Sequence, residues 1–242
     1  MLPSRPGSFR LFQLFGIQVY MHFTWLLLVF IAANFSNRYE NKTWVVVEYM
    51  ALFGIVLMHE FGHSLACRSV GGQARFIMLW PLGGVAYVQP PARPGALLWS
   101  IVAGPLVNVV LIPITMILWM WAEAAGSRLT EEAQQFISTL MFINVALLVF
   151  NLIPIYPLDG GQIVQALLWF LVGRVRSLRI VAVFGLVFGA AGGLAALLIQ
   201  RDLWMALIAV FIFMRAWSGF QTARTLSQME ARGLGHLVDE RH

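Results

Sequence analysis

The sequence predicts an all-α polytopic membrane protein with about six transmembrane helices and a short membrane-associated β-hairpin after the second helix. Three observations predict this fold class. Hydrophobic residues make up 60% of the 242 residues and charged residues only 11%, whereas soluble domains contain about 25% charged residues. The apolar residues fall into long runs with very little charge. Between two of these runs lies a short segment that is rich in β-forming residues and broken by glycine and proline.

Six runs are long enough to cross a bilayer, since a transmembrane helix needs about 20 mostly apolar residues. In chain order they cover residues 11–37, 42–68, 94–122, 133–158, 180–200 and 203–220. The first run could be a cleaved signal peptide, but its length and its polar residues Gln13, Gln18 and His22 favour a span. The sixth is the weakest because Arg215 interrupts it, although a long basic side chain can extend to the headgroups.

The segment FIMLWPLGGVAYV, residues 76–88, follows the second run and predicts a hairpin that dips into the membrane. Pro81 and two glycines interrupt its β-forming residues. An extended peptide segment could pair with the exposed edge of such a hairpin. The alternative is an interfacial loop held by Trp80 and Tyr87, since these two residue types favour the membrane–water interface.

The basic residues predict the orientation of the chain. All but four of the 16 Lys and Arg residues lie on the side of the N-terminus, the loops after the second and fourth spans, and the C-terminus. Because cytoplasmic loops carry the excess of positive charge, both termini are expected in the cytoplasm. The basic residues alternate with apolar runs along the chain, which favours membrane topology over nucleic-acid binding as the reason for the net charge of +5.

The domain organisation follows from the same pattern. Residues 1–220 are expected to form a single transmembrane domain, and residues 221–242 a short polar cytoplasmic tail. Cys67 is the only cysteine, which excludes an intrachain disulfide framework. The arginines of RVRSLR, residues 174–179, are interpreted as a topology signal near anionic lipid.

The pentapeptide HEFGH, residues 59–63, ends the second apolar run. Residues four apart share one face of a helix, so His59 and His63 can bind one metal ion from the same side. Glu60 is rotated by about 100° from His59 and can reach a water molecule on that metal. This is the chemistry of the H-E-x-x-H motif, with two zinc ligands and a general base. The alternative is a helix with two packed histidines, but ionisable residues within a span are costly and usually functional.

A catalytic zinc site has three protein ligands and one open position. Asp159 is the best third candidate, since it follows the fourth apolar run in NLIPIYPLDGG. The second and fourth spans run in the same direction, so His63 and Asp159 are expected on the same side of the membrane. Asp159 could also cap a helix starting near Gly161, and both roles can hold together. Cys67 shares a helix face with His63 and could supply a thiolate ligand in place of Asp159. A packed thiol is, however, the usual role of a cysteine in such a position. The remaining histidines are His22, His236 and His242.

HEFGH, NLIPIYPLDGG and AGPLVN (residues 103–108) together resemble the site-2 protease family of intramembrane zinc metalloproteases. The resemblance covers most of the chain, and PLGGVAYV is similar to the β-hairpin typical of the family. It implies one zinc ion per chain, bound by His59, His63 and Asp159, with Glu60 as the general base. It also implies that Asn151, eight residues before Asp159, holds the substrate or the oxyanion.

The resemblance further implies hydrolysis of a peptide bond in or near a transmembrane segment of a membrane-tethered protein. An anti-sigma factor or a pro-sigma factor would be a substrate of this kind. The chain looks like the compact branch that includes the sporulation intramembrane proteases, with no room for the PDZ or CBS domains of larger members. The expected location is the cytoplasmic membrane of a prokaryote. The alternative is a catalytically inactive relative that binds transmembrane segments as an adaptor, against which the intact Glu60 argues.

Three further polar residues lie within the apolar runs. Asn108, like Asn151, is a candidate to donate a hydrogen bond to the oxyanion. Hydrogen bonding between helices is an equal alternative for Asn108 and the preferred interpretation for Asn144. His22 is expected to form an interfacial hydrogen bond rather than to act as a gate.

Overall fold

The computed structural model describes residues 7–35, 38–80 and 83–232. Arg5, Pro81, His236, Arg241 and His242 therefore lie outside the described residues, as does the hypothesis for a tail beyond residue 232. The regular elements are, in order, β1 Ser8–Leu14, β2 Ile17–His22, α1 Thr24–Phe35, α2 Lys42–Ser69, β3 Gln73–Trp80, β4 Gly83–Gln89, α3 Pro94–Ala125, α4 Glu131–Leu152, α5 Asp159–Val172, α6 Arg174–Ala195 and α7 Leu203–Ala231.

The polytopic helical architecture is confirmed. Within the described residues, five helices are long and apolar enough to cross a membrane: α2, α3, α4, α6 and α7. The predicted second, third, fifth and sixth spans each lie on one of these helices. The fourth helix ends at Leu152, before the two prolines of NLIPIYPLDGG, and α5 begins at Asp159. The last helix continues to Ala231, so the start of the predicted polar tail is helical.

The prediction of a first span over residues 11–37 is wrong in its N-terminal half. These residues form part of β1, all of β2 and the short apolar helix α1. In β2 the buried Ile17, Val19 and Met21 alternate with Gln18 and Tyr20, which is the period-2 pattern of a strand. A hydropathy average does not distinguish this pattern from a helix. The 12 residues of α1 are about 18 Å long, which is well short of the bilayer core.

The chain divides into two compact units, and the first contains the four strands and the HEFGH segment. This unit extends through Gln89 and also includes Ala103–Val149. The strand order is β1-β2-β3-β4, with antiparallel pairing of β1 with β2 and of β3 with β4 and parallel pairing of β2 with β3. The predicted hairpin is therefore present, but as half of a four-stranded sheet.

One face of this sheet packs on α2 and forms the hydrophobic core of the unit. The buried side chains of the core come from the sheet, from α1 and from α2, and include Ile17, Val19, Trp25, Val56, Phe61, Ile77 and Leu79. The apolar alternation in β2 thus determines which face of the sheet turns toward the helix that carries HEFGH.

Arg68, in the last turn of α2, fastens the sheet to this helix. Its guanidinium donates to the carbonyl oxygens of Phe15 (2.5 Å), Gly16 (3.2 Å) and Ala74 (3.1 Å from Nε). These carbonyls belong to the β1–β2 turn and to β3. The neighbouring Cys67 is buried, and its thiol donates to the carbonyl of Gln73 at 3.6 Å, which supports the prediction of a packed thiol.

A polar network fixes the opposite end of α2. The guanidinium of Arg38 contacts the Glu48 carboxylate at 3.2 Å and donates to the Thr139 hydroxyl of α4 at 2.6 Å. The Tyr39 hydroxyl donates to Glu48, and burial together with this hydrogen bond raises the pKa of Tyr39 to about 12. The start of α2 is thereby joined to α4.

The second unit contains the antiparallel pair α6 and α7. Val175 and Val181 of α6 pack with Ala223 and Leu226 of α7, whereas the far part of α6 meets α7 near Phe213. Small residues allow this close approach, as is common between membrane helices. A side chain added at Gly185 would lie 2.6 Å from the carbonyl oxygen of Tyr156, in the segment between α4 and α5.

Replacing Arg68 with Met should loosen the sheet. The change removes charged hydrogen bonds to three carbonyls, which we expect to cost about 2–4 kcal/mol of local stability. Hydrogen–deuterium exchange of β2 and β3 should accelerate, whereas Arg75→Met, at an exposed position that bonds Gln73, should leave it unchanged. Equal protection in the two variants would show that Arg68 does not hold the sheet.

Candidate metal centre

The three ionisable residues of HEFGH are buried within α2, where they are largely shielded from solvent. The Nε2 atoms of His59 and His63 lie 3.1 Å apart. Two nitrogens bound to one tetrahedral zinc ion are about 3.3 Å apart, given zinc–nitrogen bonds of about 2.0–2.1 Å. The two imidazoles therefore have the spacing of a shared metal site, as the i, i+4 pattern predicts.

A hydrogen-bond chain determines which nitrogen of His59 faces the metal site. The side-chain amide of Asn144 donates to the backbone carbonyl of Asn108 at 3.1 Å, which leaves its Oδ1 as an acceptor. The Asn108 amide donates to that oxygen at 2.9 Å, so its own Oδ1 faces His59 Nδ1 at 2.6 Å. Because an amide oxygen only accepts, Nδ1 carries the proton and the Nε2 lone pair is available to a metal.

Both buried asparagines have hydrogen-bond partners that bear on their two interpretations. Asn108 and Asn144 are fully buried, and they hydrogen-bond between helices α3 and α4. The prediction of interhelical bonding for Asn144 is confirmed, and the same alternative is the one observed for Asn108. The sequence indicated neither the link through Asn108 to His59 nor the dependence of Asn108 on Asn144. The one feature of the sequence that could have indicated these links is the presence of two asparagines within otherwise apolar spans.

Two glycines allow α3 to lie directly against the histidine-bearing face of α2. A Cβ atom at Gly62 would be 2.6 Å from the carbonyl oxygen of Ala103, and one at Gly104 would overlap the imidazole of His63. Close backbone approach of this kind is typical of small residues at helix contacts in membranes. AGPLVN thus serves the site at two positions, with Gly104 beside His63 and Asn108 beside His59.

Strand β4 runs beside Glu60. The backbone N–H of Ala86 donates to Oε2 of Glu60 at 2.7 Å, and a Cβ atom at Gly84 would lie 2.7 Å from Oε1. The strand can approach the carboxylate only because residue 84 has no side chain. This requirement was missed from the sequence, although a glycine within a strand often marks a close approach of backbone.

Asp159 is the first residue of α5, where its carboxylate is buried. The backbone of residues 152–156 lies directly against the start of α5, since Cβ atoms at Gly160 and Gly161 would overlap Leu152, Ile155 and Tyr156. The D-G-G sequence therefore permits a sharp reversal of the chain at the end of α4. Leu158 rather than Asp159 occupies the N-cap position.

His59, His63 and Asp159 form a buried group that can hold a metal ion. One ligand atom from each residue lies within 4.8 Å of the other two, and it is the one such His, Cys, Asp or Glu group in the described part of the chain. Two neutral imidazoles and a carboxylate are a donor set that zinc accepts, and three protein ligands leave one position open. The donor set and its burial thus fit a catalytic metal ion.

The two remaining candidates are Asn151 and His22. Asn151 is half-buried at the end of α4. His22 is buried at the end of β2, where Nδ1 lies 2.7 Å from the Thr24 hydroxyl and the ring stacks on Trp80 at 4.1 Å. These contacts agree with the expected hydrogen-bonding role of His22.

The family model for peptidase family M50 matches residues 48–124 and 112–196, which together include the H-E-x-x-H motif, Asn108, Asn144 and Asp159. The chain belongs to peptidase family M50. This is the family of the site-2 proteases, as the resemblance of its motifs predicts.

Named relatives agree with this assignment. A zinc metalloprotease of Methanocaldococcus jannaschii is 30% identical over 86% of this chain and 59% of its own length. A putative zinc metalloprotease of Synechocystis is 31% identical over 93% of this chain and 63% of its length. Stage IV sporulation protein FB of Bacillus subtilis is 33% identical over 47% of the chain and 38% of its length. The chain thus spans about three-fifths of the first two relatives.

A solved structure supports the fold. The site-2 protease from Methanocaldococcus jannaschii superposes with a TM-score of 0.63 at 26% identity, over 88% of this chain and 95% of that chain. Together with the five long apolar helices, this match identifies an integral multi-pass membrane protein.

Substitution of Asn108 by Ala should weaken metal binding by the chain about 10–100-fold, the usual effect of removing a partner that orients a ligand. The proton on His59 Nδ1 would lose its acceptor, and the other tautomer would become available. Chelator competition with purified protein measures the change. Asn144→Ala should have the same sign and a smaller effect, because Asn144 acts on His59 through Asn108. Unchanged affinity in Asn108→Ala would contradict the proposed orientation.

Proposed function

We propose that this chain is an intramembrane zinc metalloprotease that hydrolyses a peptide bond in or near a transmembrane segment of a membrane-tethered protein. The observation that carries the proposal is the convergence of His59, His63 and Asp159, with Glu60 on the same helix as the two histidines. Membership of peptidase family M50 and the relatives that are zinc metalloproteases by name support it.

The ligands of the zinc ion would be His59 Nε2, an imidazole nitrogen of His63 and a carboxylate oxygen of Asp159. When bound, zinc supplies Lewis acidity that polarises the scissile carbonyl and lowers the pKa of water. The protein contributes the protonation state of His59, through Asn108, and the exclusion of bulk water by burial of all three ligands.

Glu60 is the proposed general base. Its carboxylate would accept a proton from the attacking water and return it to the leaving amine. The Ala86 N–H keeps the carboxylate at the edge of β4.

The outer edge of β4 is the proposed docking site for the substrate. A helical segment hides its carbonyls in its own hydrogen bonds, so cleavage requires it to unwind. An extended segment can then pair with a free strand edge, and β4 is the terminal strand of the sheet. Because the Ala86 N–H of this strand donates to Glu60, a peptide on this edge would lie beside the proposed base.

The roles of the asparagines are assigned separately. Asn151 remains the proposed residue for holding the substrate or the oxyanion, whereas we assign Asn108 to the orientation of His59.

The substrate would be a single-pass or membrane-tethered protein, with an anti-sigma or pro-sigma factor as an example of the class. We place the chain in a prokaryotic cytoplasmic membrane with cytoplasmic termini, on the basis of its basic residues.

Substitution of Glu60 by Gln should abolish proteolysis and leave the metal in place. The amide is nearly isosteric but cannot accept the proton, so we expect a loss of at least about 10³-fold in cleavage rate. The measurement is cleavage of single-pass reporters with helix-breaking residues, co-reconstituted with the zinc-loaded protein, with products identified by mass spectrometry. Cleavage at the parental rate would remove Glu60 as the base. Reporter binding without cleavage by the parent would favour the adaptor alternative.

Substitution of Gly84 by Ala tests the position of Glu60. The added methyl group would collide with the Glu60 side chain, so kcat should fall about tenfold or more while the zinc content stays at the parental level. Val85→Ala is the matched control, because it shortens a partly exposed neighbouring side chain without adding an atom near Glu60. Equal kcat in the two variants would show that β4 does not position the carboxylate.

A further inference from the structure

Strand β1 is an amphipathic edge strand. Its register with β2 shifts between Arg10 and Phe12, so Leu11 is the extra residue of a β-bulge. Directly paired residues of an antiparallel ladder lie on the same face. The pairs of Phe9, Phe12 and Leu14 are Met21, Val19 and Ile17, which are all buried in the core. The bulge therefore brings these three apolar side chains onto the core face of the sheet.

The opposite face of the strand is polar. Arg10 pairs with Tyr20 and Gln13 with Gln18, and the guanidinium of Arg10 donates to the Gln13 side chain at 2.8 Å. Without the bulge, apolar and polar residues would be mixed on both faces. The irregularity thus separates three apolar side chains from two polar ones over seven residues.

The apolar face of β1 extends beyond the helix that covers the rest of the sheet. Phe9, Phe12 and Leu14 are 40%, 40% and 45% exposed, although β2 beside them is almost completely buried on this face. At the tip of the hairpin, Phe15 is 67% exposed and has a φ of 50°. This conformation is unfavourable for a bulky residue, and Asn or Gly is usual at this position of a tight turn. An exposed phenylalanine there indicates a role for its side chain.

The length of α2 indicates the depth of this hairpin relative to a bilayer. The 28 residues of α2 extend about 42 Å, which equals the thickness of a bilayer with both headgroup layers. Its basic ends, Lys42 and Arg68, therefore lie in the two headgroup regions. Arg68 donates to the carbonyls of Phe15 and Gly16, so the hairpin tip lies at the same level. An unpaired strand edge is tolerated there but not in the hydrocarbon core.

We propose that β1 is a membrane-contacting strand. Its Phe9–Phe12–Leu14 face and the Phe15 tip contact the acyl–headgroup boundary of the leaflet at the Arg68 end of α2, and the Arg10–Gln13 face contacts the phospholipid headgroups. The charge of Arg10 suits anionic phospholipid, as basic residues do at membrane surfaces. The strand would hold one edge of the sheet in the interface, while the other edge, β4, contacts Glu60. The lipid contact does not depend on the proposed protease activity.

The test compares two adjacent positions on opposite faces of the strand. In a Cys67→Ala background, Phe12→Cys and Gln13→Cys are each labelled with an environment-sensitive fluorophore. The full chain is then reconstituted in vesicles of phosphatidylcholine and phosphatidylglycerol. We expect the Phe12 label to emit at shorter wavelength and to be quenched at least threefold more by lipid with a spin label near the headgroup than by aqueous iodide. The Gln13 label should show the reverse preference.

Each other outcome contradicts the proposal. Equal iodide quenching of both labels would place the strand in water. A Phe12 label shielded from both lipid and iodide would show that protein covers this face, either a second copy or another segment. Zinc content per chain verifies folding of each labelled protein, and Leu14→Cys, on the same face, replaces Phe12→Cys if the latter fails to fold.

Discussion

The hydrogen bond from His59 Nδ1 to Asn108 is the interaction on which the rest of the site depends. A metal ligand within an apolar helix must present a lone pair on one nitrogen and satisfy the proton on the other. The structure meets both demands with uncharged groups. The side-chain amide of Asn108 accepts the hydrogen bond from His59, and its orientation is fixed by Asn144. Asn144 is oriented in turn by its hydrogen bond to the backbone carbonyl of Asn108. No second charge has to be buried for this purpose. The glycines at 62 and 104 are needed because this arrangement requires α3 to touch α2.

The sheet imposes a second constraint, which acts on Glu60. A carboxylate next to two metal ligands needs a partner that neither neutralises it nor removes it from the site. The N–H of Ala86 on an edge strand is such a partner, because it is an uncharged donor that hydrogen-bonds Oε2 of Glu60. The position of β4 depends in turn on β3, and β3 is held to the end of α2 by Arg68. The position of the Glu60 carboxylate is therefore connected, through β4 and β3, to the end of α2 that carries Arg68.

The parts of this account that could be predicted from the sequence are those with local spacing. His59, Glu60 and His63 follow from helical periodicity, and Asp159 follows from its place after a long uncharged run together with the count of spans. The contacts among α2, α3 and α4 could not be predicted, because Asn108 and Asn144 meet only through tertiary packing. The first span was mispredicted because β2 and α1 are both apolar, and hydropathy alone does not separate two short elements from one long helix.

The central claim is that His59 and His63 of HEFGH and Asp159 of NLIPIYPLDGG bind one zinc ion together. The number of metal ions per chain tests this claim without a substrate. The parent, Asp159→Ala and Glu123→Ala are purified in mild detergent and reconstituted with zinc, Glu123 being an exposed acid outside the site. The account predicts about one zinc ion in the parent and in Glu123→Ala, and loss or sharp weakening in Asp159→Ala. Zinc bound equally by all three proteins, or by none, would contradict it.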